Sequence, residues 1–260
     1  MKFICHVLFI FYIITLLSCR QGVNSERDTD NWDSTLDSIA CYGNIYDLAS
    51  YLSHHPEFPL STECYSSEYV EYMSSLDGKF RVYSILPRRQ SFPSFKNIIQ
   101  YEYFSGRNLK LEMMDGLGCI SEIGICYTKD KIIYLPITYK YSILHGTHIV
   151  SSVRAFTLDK HTYELNRAPV FKTKAGKFID TIDVLWNSRG GSLDAYEDDF
   201  YGLRFNIEPI TSEVYVQVVP SSTGIPTDEE IAYLWDGCHF TYSGIVKATD
   251  RPIMSNNMNR

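Results

Sequence analysis

Residues 69–85 read Tyr69-Val70-Glu71-Tyr72-Met73-Ser74-Ser75-Leu76-Asp77-Gly78-Lys79-Phe80-Arg81-Val82-Tyr83-Ser84-Ile85, and they decide the fold. Asp77-Gly78 is a strong short hairpin signal, because the pair tolerates the positive φ values that tight turns require. The arm after it alternates at strand period two, with Phe80, Val82 and Ser84 set against Arg81, Tyr83 and Ile85. The arm before it is ambiguous, since Tyr69, Tyr72, Met73 and Leu76 also make a helical stripe.

Downstream of this hairpin the same pattern recurs. Strands are predicted at Asn97–Phe104, Leu109–Met113, Cys119–Tyr127, Lys131–Tyr139, Thr147–Leu158, Val170–Thr173, Lys177–Trp186, Gly202–Glu208, Glu213–Val219, Ile231–Trp235 and Cys238–Val246. Turn residues punctuate them, among them Ser105-Gly106, His145-Gly146, Ala175-Gly176 and Asp236-Gly237. Many short strands with short gaps predict a mainly β protein built as an antiparallel meander, in the form of a propeller, sandwich or barrel. The gaps are too short for the crossovers that parallel strands need.

Upstream, residues 34–53 read as helix, with Ile45, Leu48, Ala49 and Leu52 on one face and Gly43 as a weak point. Ser34 and Asp37 fit a capping box, and His54-His55-Pro56 ends the segment. Residues 19–33 are polar and acid-rich, the composition of a flexible tether. Met1-Lys2 followed by the apolar run Phe3 to Leu17 is a secretory leader, too short to be read as a span. The expected organisation is a leader at 1–18, a tether at 19–33, a helical segment at 34–68, a β domain at 69–248 and a disordered tail at 249–260.

The leader ends Leu16-Leu17-Ser18-Cys19, which resembles the lipobox of bacterial lipoproteins. The resemblance implies lipidation of Cys19, cleavage before it and permanent attachment to a membrane. Several acyl chains hold a domain far more firmly than one. A second resemblance spans most of residues 70–245. Asp77 to Ser84, Asn97-Ile98-Ile99-Gln100-Tyr101, Ile132-Ile133-Tyr134-Leu135 and Tyr233-Leu234-Trp235-Asp236-Gly237 with Phe240 resemble an uncharacterised lipoprotein family of Bacteroides-type gut bacteria. Where those proteins carry Trp-Asp after the Tyr-Ser pair, this chain has Ile85-Leu86. The resemblance implies a Bacteroidetes host and a cell-envelope location, with the outer membrane as the expected site, and brings no biochemical role.

Composition narrows the function classes. A net charge of -7 lacks the basic footprint of a nucleic-acid binder, and that class is excluded. Of the 7 cysteines, Cys5 leaves with the leader and Cys19 takes the lipid. Cys41, Cys64, Cys119, Cys126 and Cys238 remain, an odd set in which Cys41–Cys64 is the first pair to test for a bridge. No Cys-x-x-Cys pair, nucleophile elbow or phosphate loop occurs, so neither cofactor nor metal is expected. His145-Gly146-Thr147-His148 and His54-His55 are better read as turn and helix-end residues than as metal ligands.

Two chemistries stay open. Asp194, Glu197, Asp198 and Asp199 crowd one loop, and Asp180 and Asp183 flank a strand, as paired carboxylates do in a surface glycan hydrolase. The preferred reading is non-catalytic binding of a glycan or an envelope protein. The chain holds 20 tyrosines, and Tyr196, Tyr201, Tyr233 and Trp235 are candidate ligand-surface aromatics. For Tyr233 and Trp235 a core role is the stronger reading, with Phe240 packing across the hairpin and Asp236-Gly237 forming a type I′ turn.

Overall fold

The computed structural model describes residues 29–42, 44–55, 64–67, 69–85, 95–103, 108–141, 148–187, 205–208 and 213–250. Helix α1 spans Thr29–Tyr42 and α2 spans Ile45–His54. The first begins inside the segment expected to be a tether. The capping box sits at the second helix, not at Ser34 and Asp37. The Asn44 side chain accepts from the N–H groups of Tyr46 and Asp47, and the Asp47 carboxylate accepts from the Asn44 N–H. Ser34 and Asp37 lie inside α1, past the N–H groups that a cap serves. Asp37 instead accepts from the hydroxyls of Tyr65 and Ser67, tying α1 to the first strand.

That strand, β1 (Cys64–Ser66), leads a five-stranded antiparallel meander with β2 (Val70–Ser74), β3 (Phe80–Ile85), β4 (Lys96–Tyr103) and β5 (Asn108–Asp115). The ambiguous arm before Asp77-Gly78 is therefore strand. Two elements that were not predicted, β1 and the later Leu165–Arg167, are only 3 residues each, too short to show a period.

The chain then builds a second sheet from β6 (Cys119–Tyr127), β7 (Lys131–Tyr141), β8 (His148–Arg154), β9 (Phe156–Asp159) and β10 (Leu165–Arg167). The run predicted as one strand, Thr147–Leu158, is broken at Ala155. Pairing with β7 lapses between Tyr134 and Ile137, where Pro136 brings no N–H. The Ala155 N–H donates instead to the carbonyl of Asp180 at 2.8 Å. A detour through β11 (Phe171–Lys172) and β12 (Phe178–Ile179) enters the third sheet, and β13 (Thr181–Asn187) returns to the second beside β8. The predicted strand Lys177–Trp186 is thus two strands, each in a different sheet.

The third sheet is completed by β14 (Phe205–Glu208), β15 (Glu213–Gln217), β16 (Glu229–Trp235) and β17 (Phe240–Lys247), in the order β12-β11-β17-β16-β15-β14. All pairings are antiparallel except β11 with β17, where Phe171 faces Phe240 and Lys172 faces Thr241 in parallel. A short 3-10 turn, Ala248–Asp250, ends the described chain. The protein is mainly β with a short helical segment before the sheets, and the three sheets stack in layers. Among the described residues no sheet closes on itself.

Three apolar clusters glue the layers. Leu36, Ile45, Leu48 and Leu52 of the helices meet Val70, Tyr72, Tyr83 and Ile98 of the first sheet. Phe80, Val82, Ile99 and Tyr101 on its other face meet Ile120, Ile123, Tyr134 and Phe156 of the second. Leu135, Ile137, Val153 and Trp186 then meet Phe205, Val214, Val216 and Phe240 of the third. Both outer faces of the first two sheets are covered, which is why β3 and the run Ile132–Thr138 are buried at every position. The third sheet packs its Val214, Val216, Tyr233 and Phe240 face on the second sheet, and on the other face Tyr215, Ala232 and Glu230 are buried while Leu234 and Phe178 are exposed.

Candidate functional site

The outward face of the third sheet, at the end that carries the turn between β16 and β17, holds the residues best placed for recognition. The turn between β16 and β17 is a four-residue loop, because Trp235 pairs with Phe240 and the Asp236 N–H donates to the His239 carbonyl. Asp236 Oδ1 accepts from the N–H groups of Cys238 (2.9 Å) and His239 (2.7 Å), and its other oxygen accepts from the Thr241 hydroxyl. These bonds hold the Asp236 carboxyl below its usual range. The expected type I′ turn is corrected: Gly237 has φ 97, but Asp236 is absent from the positive-φ residues. Asp236 works here through its side chain rather than its backbone.

Alternation sorts the strand residues. Trp235, Phe240, Phe171 and Ile179 form one row by register and face the second sheet. Phe240 and Phe171 stack with centroids 5.4 Å apart, and Trp235 lies 4.7 Å from Phe240. Tyr233 is buried in the same cluster, edge-on to Phe171, and burial pushes its hydroxyl pKa up. As a ligand-surface aromatic, Tyr233 is therefore corrected, since its ring is spent on the core. Trp235 is half-buried at the margin of that core. The neighbouring row faces outward and runs Glu213, Leu234, Thr241, Lys172, Phe178 across five strands. Leu234 is 39% and Phe178 41% exposed, and the Phe178 ring is flanked by His239 at 4.7 Å and Lys172 at 5.9 Å. Sequence reading picked the inward row for its aromatics and passed over this one, although Phe178 beside Lys177 and Lys172 was legible as an exposed aromatic.

Other candidates fall elsewhere. Cys19, Tyr196, Tyr201, Asp194, Glu197, Asp198 and Asp199 lie outside the described residues. Asp180 is 2.8 Å from Arg167, and Asp183 accepts from the Ser152 hydroxyl at 2.6 Å, so each carboxylate of that pair has its own structural partner. His54 Nδ1 lies 2.7 Å from the Ser50 carbonyl, and the His55 ring packs against Tyr51. Among the described residues no group of three His, Cys, Asp or Glu side chains is placed to hold a metal. Cys41 and Cys64 are not bridged, and neither they nor Cys119, Cys126 and Cys238 form a disulfide.

Two carboxylates with unanticipated partners lie between the sheets. Cys119 donates to the Glu71 carboxylate between the first and second sheets, and burial raises the pKa of both groups. Asp77, in the deciding hairpin, accepts from the hydroxyls of Ser75 (2.6 Å), Tyr134 (3.1 Å) and Tyr127 (3.3 Å). Burial and that carboxylate push Tyr127 up to about 12. Among the described residues no helix is long and apolar enough to cross a membrane. No family model, curated protein or solved structure matches the chain.

Proposed function

We propose that this chain is a bacterial lipoprotein of the Bacteroides type, anchored to the cell envelope through Cys19, that binds a ligand or envelope partner without chemistry. What carries the binding part is the outward row of the third sheet. Leu234 and Phe178 present exposed apolar surface, while Thr241, Lys172 and His239 bring polar groups beside them. An exposed ring with hydroxyl, imidazole and ammonium neighbours suits a sugar face or a peptide. What supports the anchor is the sequence Leu16-Leu17-Ser18-Cys19 at the end of an apolar run. The outer membrane is the proposed location.

The test is a screen of glycans and peptidoglycan on residues 31–260, with wild type beside Phe178→Ala and Leu234→Ser. Binding lost in both variants at unchanged melting temperature supports the reading. Binding that survives both, or cleavage products in the glycan arm, sinks it. The anchor is tested separately by labelling cells with a fatty-acid analogue, where label retained on Cys19→Ala refutes the lipobox.

A further inference from the structure

The chain is acidic, with 31 Asp and Glu against 24 Lys and Arg, yet one stretch of it runs the other way. The β11–β12 hairpin, Phe171-Lys172-Thr173-Lys174-Ala175-Gly176-Lys177-Phe178-Ile179, holds three lysines and no acid. Its turn is tied by the backbone. The Thr173 N–H donates to the Lys177 carbonyl at 2.8 Å, the Gly176 N–H to the Thr173 carbonyl at 2.8 Å, and the Lys177 N–H to Thr173 Oγ1 at 3.2 Å. The three lysines are thus carried on a held frame, and all are exposed.

Asp180 follows the hairpin, and Asp236 lies in the turn whose His239 touches Phe178; both are engaged. Asp180 is 2.8 Å from Arg167, and the Asp236 carboxylate accepts from the N–H groups of Cys238 and His239 and from the Thr241 hydroxyl. Glu213 shares the outward row but stands three strands from Lys172. That is about 14 Å at the usual strand spacing, beyond a Debye length in physiological salt. Among the described residues no carboxylate forms an ion pair with Lys172, Lys174 or Lys177. Their charge faces solvent beside a ring that is itself 41% exposed, with the Lys172 ammonium 5.9 Å from the Phe178 ring centre.

We propose that this end of the third sheet binds an anionic glycan, with a sugar face on Phe178 and its carboxylate or sulfate groups on Lys172, Lys174 and Lys177. The proposal rests on the reading that the row of Phe178 and Leu234 is a binding face, and adds the charge of what it binds. An aromatic ring takes the apolar face of a sugar, and ammonium groups beside that ring select an acidic one. One exposed ion pair is worth little, so a single acidic sugar is held weakly. Three lysines on one hairpin meet successive units of a polymer, and linked contacts multiply. A membrane surface fits less well. The turn tip, Lys174-Ala175-Gly176, has no large apolar side chain to insert, and Phe178 and Leu234 lie within a sheet, three strands apart.

The experiment measures binding of the full chain to polygalacturonate, dextran sulfate, neutral dextran and phosphatidylglycerol vesicles, with Tm followed for every variant. One or both polyanions should bind where dextran and vesicles do not, and more weakly as salt rises from about 50 to about 500 mM. Polygalacturonate alone assigns carboxylated glycans, dextran sulfate alone sulfated ones, and both an anionic site that does not choose between them. Lys172→Gln should weaken binding about threefold and Lys172→Arg should keep it. The triple variant Lys172→Gln/Lys174→Gln/Lys177→Gln should weaken it by about tenfold or more at unchanged Tm, and Phe178→Ala should lose as much. Dextran bound through Phe178 and indifferent to the lysines overturns the charge and leaves the binding face standing. Polyanion binding that Phe178→Ala leaves intact overturns both. Vesicle binding as tight as glycan binding, no binding to either polyanion, or polyanion binding that the triple variant keeps overturns the proposal.

Discussion

Gly118 stands where the chain passes from the first sheet to the second, and replacing it with alanine should cost far more than the same change two residues earlier. Its φ is +103, a conformation L side chains rarely adopt, and an added Cβ would sit 2.5 Å from the Tyr139 carbonyl oxygen and 3.0 Å from its carbon. Backbone in the middle of β7 cannot swing aside as a side chain can. The Gly118 carbonyl also accepts from Asn97 Nδ2 at 2.7 Å and Ser84 Oγ at 3.2 Å, so a displaced residue 118 loosens two buried bonds.

The strained φ costs about 1–3 kcal/mol. Forcing the overlap apart costs another ~1–3 kcal/mol. Together these give about 4 kcal/mol, or roughly 8–16 °C of Tm for a chain of this size. Gly116 is the control, because its φ is +79 yet nothing lies within 4 Å of the added atom. Gly116→Ala should therefore lose only about 1 kcal/mol, the backbone share alone. The assay is thermal melting followed by circular dichroism, run on both variants. Equal shifts for the two would show that the close approach of Gly118 to Tyr139 does not exist, and with it the register between the first two sheets.

Trp235→Ala should lower stability by about 2 kcal/mol, less than a fully buried tryptophan would, whereas Leu234→Ala on the opposite face should stay within about 0.5 kcal/mol; denaturant titration separates them. An alkylating reagent should modify the exposed Cys64 and Cys238 quickly and reach the buried Cys119 and Cys126 only when the chain unfolds, read by peptide mass spectrometry. Glu71 gives a pH dependence of definite sign. Its folded pKa is raised above 4.5 by burial, so the folded state binds the extra proton, and stability falls as pH rises from about 4.5 through the folded value. Glu71→Gln should flatten that fall in a Tm-against-pH series, and an unchanged slope would mean the carboxyl is solvated.

Much of the strand order was readable because turn chemistry is local. Asp77-Gly78 announces its hairpin within a few residues, and so does Asp236-Gly237, although the second turn uses the Asp236 side chain and not the backbone conformation expected of it. What could not be read was which strands would be covered twice. Arg81 and Gln100 alternate with apolar residues as outward-facing positions of a one-sided sheet do, yet both are fully buried, on the face where α1 and α2 meet Tyr72, Tyr83 and Ile98. The same packing explains the helix that begins at Thr29. Thr29-Asp30-Asn31-Trp32-Asp33 has the composition of a tether, and composition does not record that the following turns dock on a sheet. At the third sheet, alternation was enough to favour a core role for Tyr233 and Trp235, which the register turns inward, but it did not single out Leu234 and Phe178 as the exposed apolar residues of the opposite face.

Stacked sheets held by apolar contact alone could slide, since burial is non-directional. The polar stripe between the first two sheets removes that freedom. Glu71, Ser84 and Asn97 are register partners in one row across β2, β3 and β4, on the face toward the second sheet. Each reaches a named group at the start of β6: Glu71 takes the Cys119 thiol, Asn97 donates to the Gly118 carbonyl, and Ser84 accepts from the Ile120 N–H at 3.1 Å. Three successive residues, Gly118 just before β6 and Cys119 and Ile120 within it, are thus bound to three strands of the facing sheet. A slip of one residue would leave all these buried groups without partners, at a cost of about 1–3 kcal/mol each, a large share of the 5–15 kcal/mol by which domains are stable. The outward face of the third sheet has no such constraint from a fourth layer among the described residues, and that is the face on which Phe178 and Leu234 are free to meet something else.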